Sequence, residues 1–99
     1  MNPALDSELM VDEIFGPILP IIPYKKIEEA VEFVKKREKP LAIYYFGNEK
    51  SEGCKAMMRE TRSGAFVANE CCMQLYSNYL AFGGVGKSGY GRHGGALGF

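Results

Sequence analysis

The stretch "PLAIYYFGN", Pro40 to Asn48, sets the fold class because it combines a helix stop, an apolar run and a turn. Pro40 cannot continue a preceding helix. The uninterrupted apolar run Leu41–Phe46 is typical of a strand that is covered on both faces, and Gly47-Asn48 closes it as a turn. The stretch therefore predicts a buried strand that follows a helix.

Helical periodicity flanks this strand on both sides. Apolar residues recur at helical spacing over Ile27–Glu38, with acidic residues in the first turn and basic ones in the last. A second helix is predicted from about Ser51 to Thr61, although Gly53 weakens it. The run Ala65–Asn69 predicts another short buried strand, whereas Ile18–Tyr24, with its prolines, predicts a short edge strand or an extended connector. Alternating helices and buried strands predict an α/β architecture with mainly parallel strands.

The length and the charge balance of the sequence exclude several classes of protein. Ninety-nine residues make one domain or part of one. Twelve acidic and twelve basic side chains cancel, and the basic ones are scattered apart from the run Lys35-Lys36-Arg37. No cationic face is therefore expected for nucleic acid or anionic lipid. No signal-peptide pattern or bilayer-length apolar run is visible, so we expect a cytoplasmic setting.

The three cysteines, Cys54, Cys71 and Cys72, form an odd set with two adjacent members. This spacing suits neither a disulfide framework nor a C-x-x-C metal site, so reduced and mostly buried thiols are expected. No lysine or histidine lies next to Cys71 or Cys72 to activate either thiol, which favours a structural role for both. His93 is the single histidine, and no metal site is predicted.

The loop "AFGGVGKSGYG", Ala81 to Gly91, matches two overlapping nucleotide-binding motifs, a loose P-loop and a G-x-G-x-x-G fingerprint. Both motifs need a helix after the loop, and the residues that follow are too rich in glycine to form one. A P-loop also needs an acid for magnesium, and no acidic residue follows Glu70. We therefore expect the glycines to permit turns and close backbone approach, and Lys87 to be solvated or to contact backbone rather than phosphate.

Three blocks, in this order, resemble the C-terminal part of the NAD(P)-dependent aldehyde dehydrogenases. They are "DEIFGPILPI" at Asp12–Ile21, "KPLAIYYF" at Lys39–Phe46 and "FGGVGKSGYGR" at Phe82–Arg92. The likeness runs from about Ser7 to Phe99, and the wording "VKKREKPLAIYYF" looks most like the class 3, fatty-aldehyde type. The resemblance implies that residues 1–99 are the C-terminal part of a catalytic domain, without a complete cofactor-binding domain.

The resemblance also implies the site residues. Glu13 takes the hydroxyls of the nicotinamide ribose, Phe15 packs beside the nicotinamide ring, and Phe82 lines the aldehyde pocket. The alternatives are a solvated carboxylate for Glu13, a core aromatic for Phe15 and a packing anchor for Phe82. The implied cofactor is NAD or NADP, the implied substrate is a small-molecule aldehyde, and the implied parent enzyme is a homo-oligomer.

The family reaction, as the resemblance implies it, oxidises an aldehyde to a carboxylic acid by way of a cysteine thioester. The family places the nucleophile, the oxyanion donor and the general base upstream of its E-I-F-G-P block, and here only twelve residues precede Glu13. We therefore assign no catalytic residue and expect the chain alone to be inactive, with the remainder of the dehydrogenase chain or another subunit as its partner. The alternative is a non-catalytic α/β interaction module or orphan fragment.

Overall fold

The structure is a computed structural model that describes residues 3–96. Helices and strands alternate along the chain, as predicted, and short 3-10 turns occur at Glu8–Met10 and Gly86–Ser88. Within residues 3–96, no helix is both long and apolar enough to cross a bilayer. The remaining elements are helix α1 (Ile27–Lys35), strand β1 (Ala42–Tyr45), helix α2 (Glu52–Glu60), strand β2 (Ala65–Ala68) and helix α3 (Met73–Tyr76).

Helix α1 begins at its predicted residue and ends three positions before the predicted Glu38. On its exposed face, Lys35 Nζ pairs with Glu32 Oε1 at 2.6 Å, a spacing of three residues that helix geometry favours. Beyond the helix, the Arg37 guanidinium lies 4.1 Å from the centre of the Phe33 ring. Arg37 Nη2 also donates to the carbonyl oxygen of Leu5 at 3.1 Å, so it ties the N-terminal arm to α1.

Helix α2 packs against α1 and supplies most of the core. Ser51 caps it, because its Oγ accepts a hydrogen bond from the Cys54 amide at 3.1 Å. Cys54 and Met57 of α2 are buried together with Val31 of α1. Gly53 weakens the helix, but a Cβ at this position would lie 3.2 Å from Ile27 Cγ1, so the glycine permits the two helices to approach closely.

Strands β1 and β2 form a two-stranded parallel sheet, with Ala42 opposite Ala65 and Tyr45 opposite Ala68. The parallel pairing confirms the predicted α/β architecture. The strands are less covered in this chain than their apolar runs predict, since their residues are half-buried and Tyr44 is exposed. The reason is that each strand has only one sheet neighbour among the described residues.

The glycine loop folds back onto the residues that precede the two strands. Gly64, just before β2, is buried, and a Cβ there would overlap the carbonyl oxygens of Gly83 and Leu41. Arg92, which directly follows the loop, donates from Nη2 to the carbonyl oxygen of Gly64 at 3.1 Å. This hydrogen bond is a second contact at the residue that precedes β2. The predicted role of the loop glycines in close backbone approach is confirmed within the loop, since a Cβ on Gly84 would overlap the backbone of Ser88.

The structure decides between two predicted alternatives for one segment and adds one element that was not predicted. The segment Ile18–Tyr24 forms no strand, so of the two predicted alternatives the extended connector is the one observed. Its prolines, Pro20 and Pro23, cannot donate ladder hydrogen bonds. Helix α3 was not predicted, because its four residues are too few to show periodicity.

We predict that Gly64→Ala destabilises the protein by about 1–3 kcal/mol, because the added methyl group must displace two carbonyl oxygens of the backbone. The measurement is the urea unfolding midpoint of the purified protein. Gly16→Ala is the matched control, since the nearest atom to a Cβ there is the Ile14 carbonyl oxygen at an ordinary 3.7 Å. The control should stay within about 0.5 kcal/mol of the parent, and equal midpoints for the two variants would contradict the prediction.

Candidate functional site

Glu13 and Phe15 lie on the N-terminal arm and line the same shallow groove, which has a volume of about 360 Å³. Arg37, which anchors this arm to α1, lies at the same groove. The Glu13 carboxylate is exposed. The structure thus places the two residues that were predicted to contact the nicotinamide riboside side by side on an accessible surface.

Phe15 has an unusual backbone conformation and an unusual degree of exposure. Its φ is 45°, in the left-handed region that residues other than glycine rarely occupy. Its side chain is 91% exposed in the described structure, so the ring is accessible at the groove. A bulky residue in this conformation is typical of positions where the surrounding structure fixes a side chain for a function.

Phe82 lies in a different groove, of about 480 Å³, which the glycine loop lines together with Leu41. The main chains of Phe82 and His93 pair as an antiparallel bridge, with N to O distances of 2.8 and 2.9 Å. Their rings meet edge to face, with centres 5.4 Å apart. Phe82 is half-buried, and the structure does not place it in one groove with Glu13.

Lys87, the lysine of the apparent P-loop, pairs with a carboxylate. Its Nζ lies 2.9 Å from Glu38 Oε1, and the lysine side chain is 79% exposed. The hydrogen bond to Glu38, together with the negative charge of this residue and of Asp12, raises the pKa of Lys87 above its usual value. Lys87 is therefore solvated, as predicted.

The cysteines divide into one buried and two exposed thiols. Cys54 is buried between α1 and α2, as predicted. The prediction of buried thiols is wrong for Cys71 and Cys72, because both lie on the turn between β2 and α3 and face solvent. Residues 3–96 contain no group of three histidine, cysteine or acidic side chains that could hold a metal ion.

Sequence reasoning missed a polar network between β1 and α3. Gln74, which is only 8% exposed, donates from Nε2 to the Tyr44 hydroxyl at 2.8 Å. The Tyr44 hydroxyl in turn donates to Cys72 Sγ at 3.8 Å. Gln74 Oε1 has no hydrogen-bond partner among the described residues. The only sequence signal was the interruption of an apolar stretch by polar residues, which does not reveal tertiary partners.

The sequence and the fold agree with one protein family. The aldehyde dehydrogenase family model matches residues 1–99, so this chain belongs to that family. The structure superposes with a TM-score of 0.88 on one titled "Substrate bound state of Staphylococcus Aureus AldH", at 40% sequence identity. The match covers 98% of this chain and 21% of that one, so this chain has the α/β aldehyde dehydrogenase fold as a partial domain.

Curated relatives give the same result. The chain is 44% identical over 99 residues to "Aldehyde dehydrogenase family 3 member F1" of Arabidopsis thaliana, covering all of this chain and 20% of that protein. It is 47% identical over 91 residues to "Aldehyde dehydrogenase family 3 member B1" of Homo sapiens, covering 92% of this chain and 19% of that protein. These relatives are oxidoreductases, and the chain spans about a fifth of their length.

We predict that the chain and its Lys87→Ala variant bind ATP-Mg equally and negligibly, because the lysine is paired with Glu38 and no α-helix follows the loop within the described residues. Isothermal titration calorimetry with ATP-Mg is the measurement. Measurable binding that the Lys87→Ala substitution abolishes would contradict the prediction and restore the P-loop interpretation.

Proposed function

We propose that this chain is the C-terminal portion of an aldehyde dehydrogenase catalytic domain that oxidises aldehydes to carboxylic acids with NAD or NADP. In this proposal Glu13 and Phe15 contact the nicotinamide riboside, and Phe82 contacts the aldehyde. The observation that carries it is the exposed Phe15 ring on a left-handed residue, two positions after an exposed carboxylate, in a chain that the family model matches in full.

The chemistry of Glu13 fits the ribose of a dinucleotide. A carboxylate has two acceptor oxygens, so it can accept from both hydroxyls of a vicinal diol, and such charge-assisted bonds are worth about 1.5–3 kcal/mol each. Glu13 takes part in none of the ion pairs found within residues 3–96. The side chain is therefore available to hold the ribose and to orient it.

The placement of Phe15 fits a role beside a planar ring. The nicotinamide supplies the acceptor for the hydride that leaves the aldehyde carbon. A benzyl side chain against a planar ring would exclude water from one face and limit the motion of the ring, and reaction requires such restricted geometry. The left-handed backbone at Phe15 supports this role, because such backbone conformations in bulky residues cluster at ligand sites.

The remaining catalytic groups are proposed to come from the rest of the dehydrogenase chain or from another subunit, in a homo-oligomeric cytoplasmic enzyme. Two observations support an incomplete unit. Val31, Cys54 and Met57 are the buried hydrophobic residues of residues 3–96. Large apolar side chains such as Tyr79 and Leu19 are exposed, which is typical of surfaces that pack against further protein.

We predict that the isolated chain does not reduce NAD+ or NADP+ with medium-chain or long-chain aldehydes, because it supplies contacts and not the nucleophile. A chimera in which it replaces the matched segment of the Staphylococcus aureus relative should be active. NAD(P)H absorbance is the measurement. Hydride transfer by the isolated chain above a heat-killed control would overturn this division of labour, and binding to another dehydrogenase subunit without restored activity would favour the interaction module.

We predict that Glu13→Gln in the active chimera raises the KM for NAD(P)+ by roughly 10- to 150-fold, which corresponds to the loss of one charge-assisted hydrogen bond. Asp12→Asn is the matched control, because Asp12 is the adjacent exposed acid and has no assigned contact with the cofactor. The control should leave this KM unchanged. Equal effects of the two substitutions would show that general negative charge, and not a specific contact, is responsible.

A further inference from the structure

We propose that Cys71 and Cys72 form an exposed vicinal dithiol that binds thiophilic electrophiles through both sulfur atoms, with trivalent arsenic compounds as the defining ligand class. The dithiol is defined here as these two side chains on the turn between β2 and α3. The proposal depends on the placement of the thiols and not on the proposed dehydrogenase function. Its test therefore measures thiol chemistry and not aldehyde oxidation.

The turn that carries the dithiol is fixed at both ends. At its start, Asn69 Oδ1 accepts a hydrogen bond from the Gly47 amide at 2.9 Å, which joins the carboxyl ends of the two strands. Asn69 and Cys72 both have left-handed backbones, with φ of 58° and 60°. Such conformations persist in residues other than glycine where the surroundings hold them. The two thiols are thus presented on a defined turn at the carboxyl edge of the sheet.

The Cys72 thiol is also positioned by the side chains below it. The Tyr44 hydroxyl donates to Cys72 Sγ at 3.8 Å and accepts from the buried amide of Gln74 at 2.8 Å. This chain of contacts begins at the buried Gln74 side chain and ends at Cys72, which is an exposed residue. It therefore limits the orientations of Cys72 on a turn that a reagent can reach.

Adjacent cysteines favour a bridged adduct over a direct disulfide. Neighbouring Cα atoms are ~3.8 Å apart across a trans peptide, which is below the ~4.4–6.8 Å that disulfides usually span. A direct sulfur-sulfur bond in this pair would therefore be strained and easily reduced. One large atom bonded to both sulfurs separates them further and relieves this constraint.

The number of sulfur atoms in the dithiol also indicates which class of compound it can bind. Structural zinc sites need four ligands, and residues 3–96 contain no group of even three suitable side chains. An organic arsenic(III) oxide needs two sulfurs. Two sulfur-arsenic bonds form, the arsenic-oxygen bonds break, and the oxygen leaves as water with the two thiol protons. Arsenic stays trivalent, so the step needs neither an oxidant nor a reductant.

The experiment treats the folded protein with phenylarsine oxide in excess glutathione, which removes adducts of single thiols. Peptide mass mapping should find one arsenic on the peptide that contains Cys71 and Cys72, with both thiols blocked. A small dithiol should remove it. The absence of this adduct from the native protein would overturn the proposal.

Single substitutions provide the second measurement. Cys71→Ser and Cys72→Ser should each weaken phenylarsine oxide binding by roughly 100-fold or more, because the second bond is then lost from an intramolecular pair. Cys54→Ser is the matched control and should leave the affinity unchanged, since Cys54 is buried. Circular dichroism checks that each variant is folded. Unchanged affinity in either exposed-cysteine variant would overturn the proposal.

Discussion

The fold of this chain depends on a backbone contact at Gly64, where no side chain fits. The α-carbon of Gly64 lies against the carbonyl oxygens of both Leu41 and Gly83. The first of these precedes β1 and the second belongs to the glycine loop, so strand pairing and loop docking meet at one position. The same contact therefore joins the parallel sheet and the loop. The position of the loop that carries Phe82 depends on the position of the sheet.

The hydrophobic core is much smaller than the apolar content of the chain. Aliphatic, aromatic, methionine and cysteine residues make up 46% of the sequence, yet Val31, Cys54 and Met57 are the hydrophobic residues that the described structure buries. Apolar side chains such as Val11, Leu19 and Phe46 are exposed instead, and extensive exposed apolar surface is typical of sites that contact further protein. The proposed place within a larger catalytic domain accounts for this imbalance, because burial would then be completed by protein outside this chain.

The features that the sequence predicted correctly are local ones. Helix α1 and strand β2 begin at the predicted residues, because periodicity and turn residues act within a few positions of one another. The exposure of Cys71 and Cys72 was predicted wrongly, since cysteine type favours burial but their turn lies outside the sheet. The left-handed backbone of Phe15 could not be predicted either, because no glycine or asparagine marks it. The resemblance suggested the site residues Glu13, Phe15 and Phe82. The grooves in which they lie are formed by tertiary contacts, which the sequence does not show.

The short segment Arg37–Lys39 explains how one chain can position two separate grooves. Arg37 donates to Leu5 of the N-terminal arm, and Glu38 pairs with Lys87 of the glycine loop. The first of these contacts joins the arm that carries Glu13 and Phe15 to α1, and the second joins the loop that carries Phe82 to the start of β1. Neither contact requires the two grooves to merge. The segment therefore links the N-terminal arm and the glycine loop to the same stretch of chain between α1 and β1.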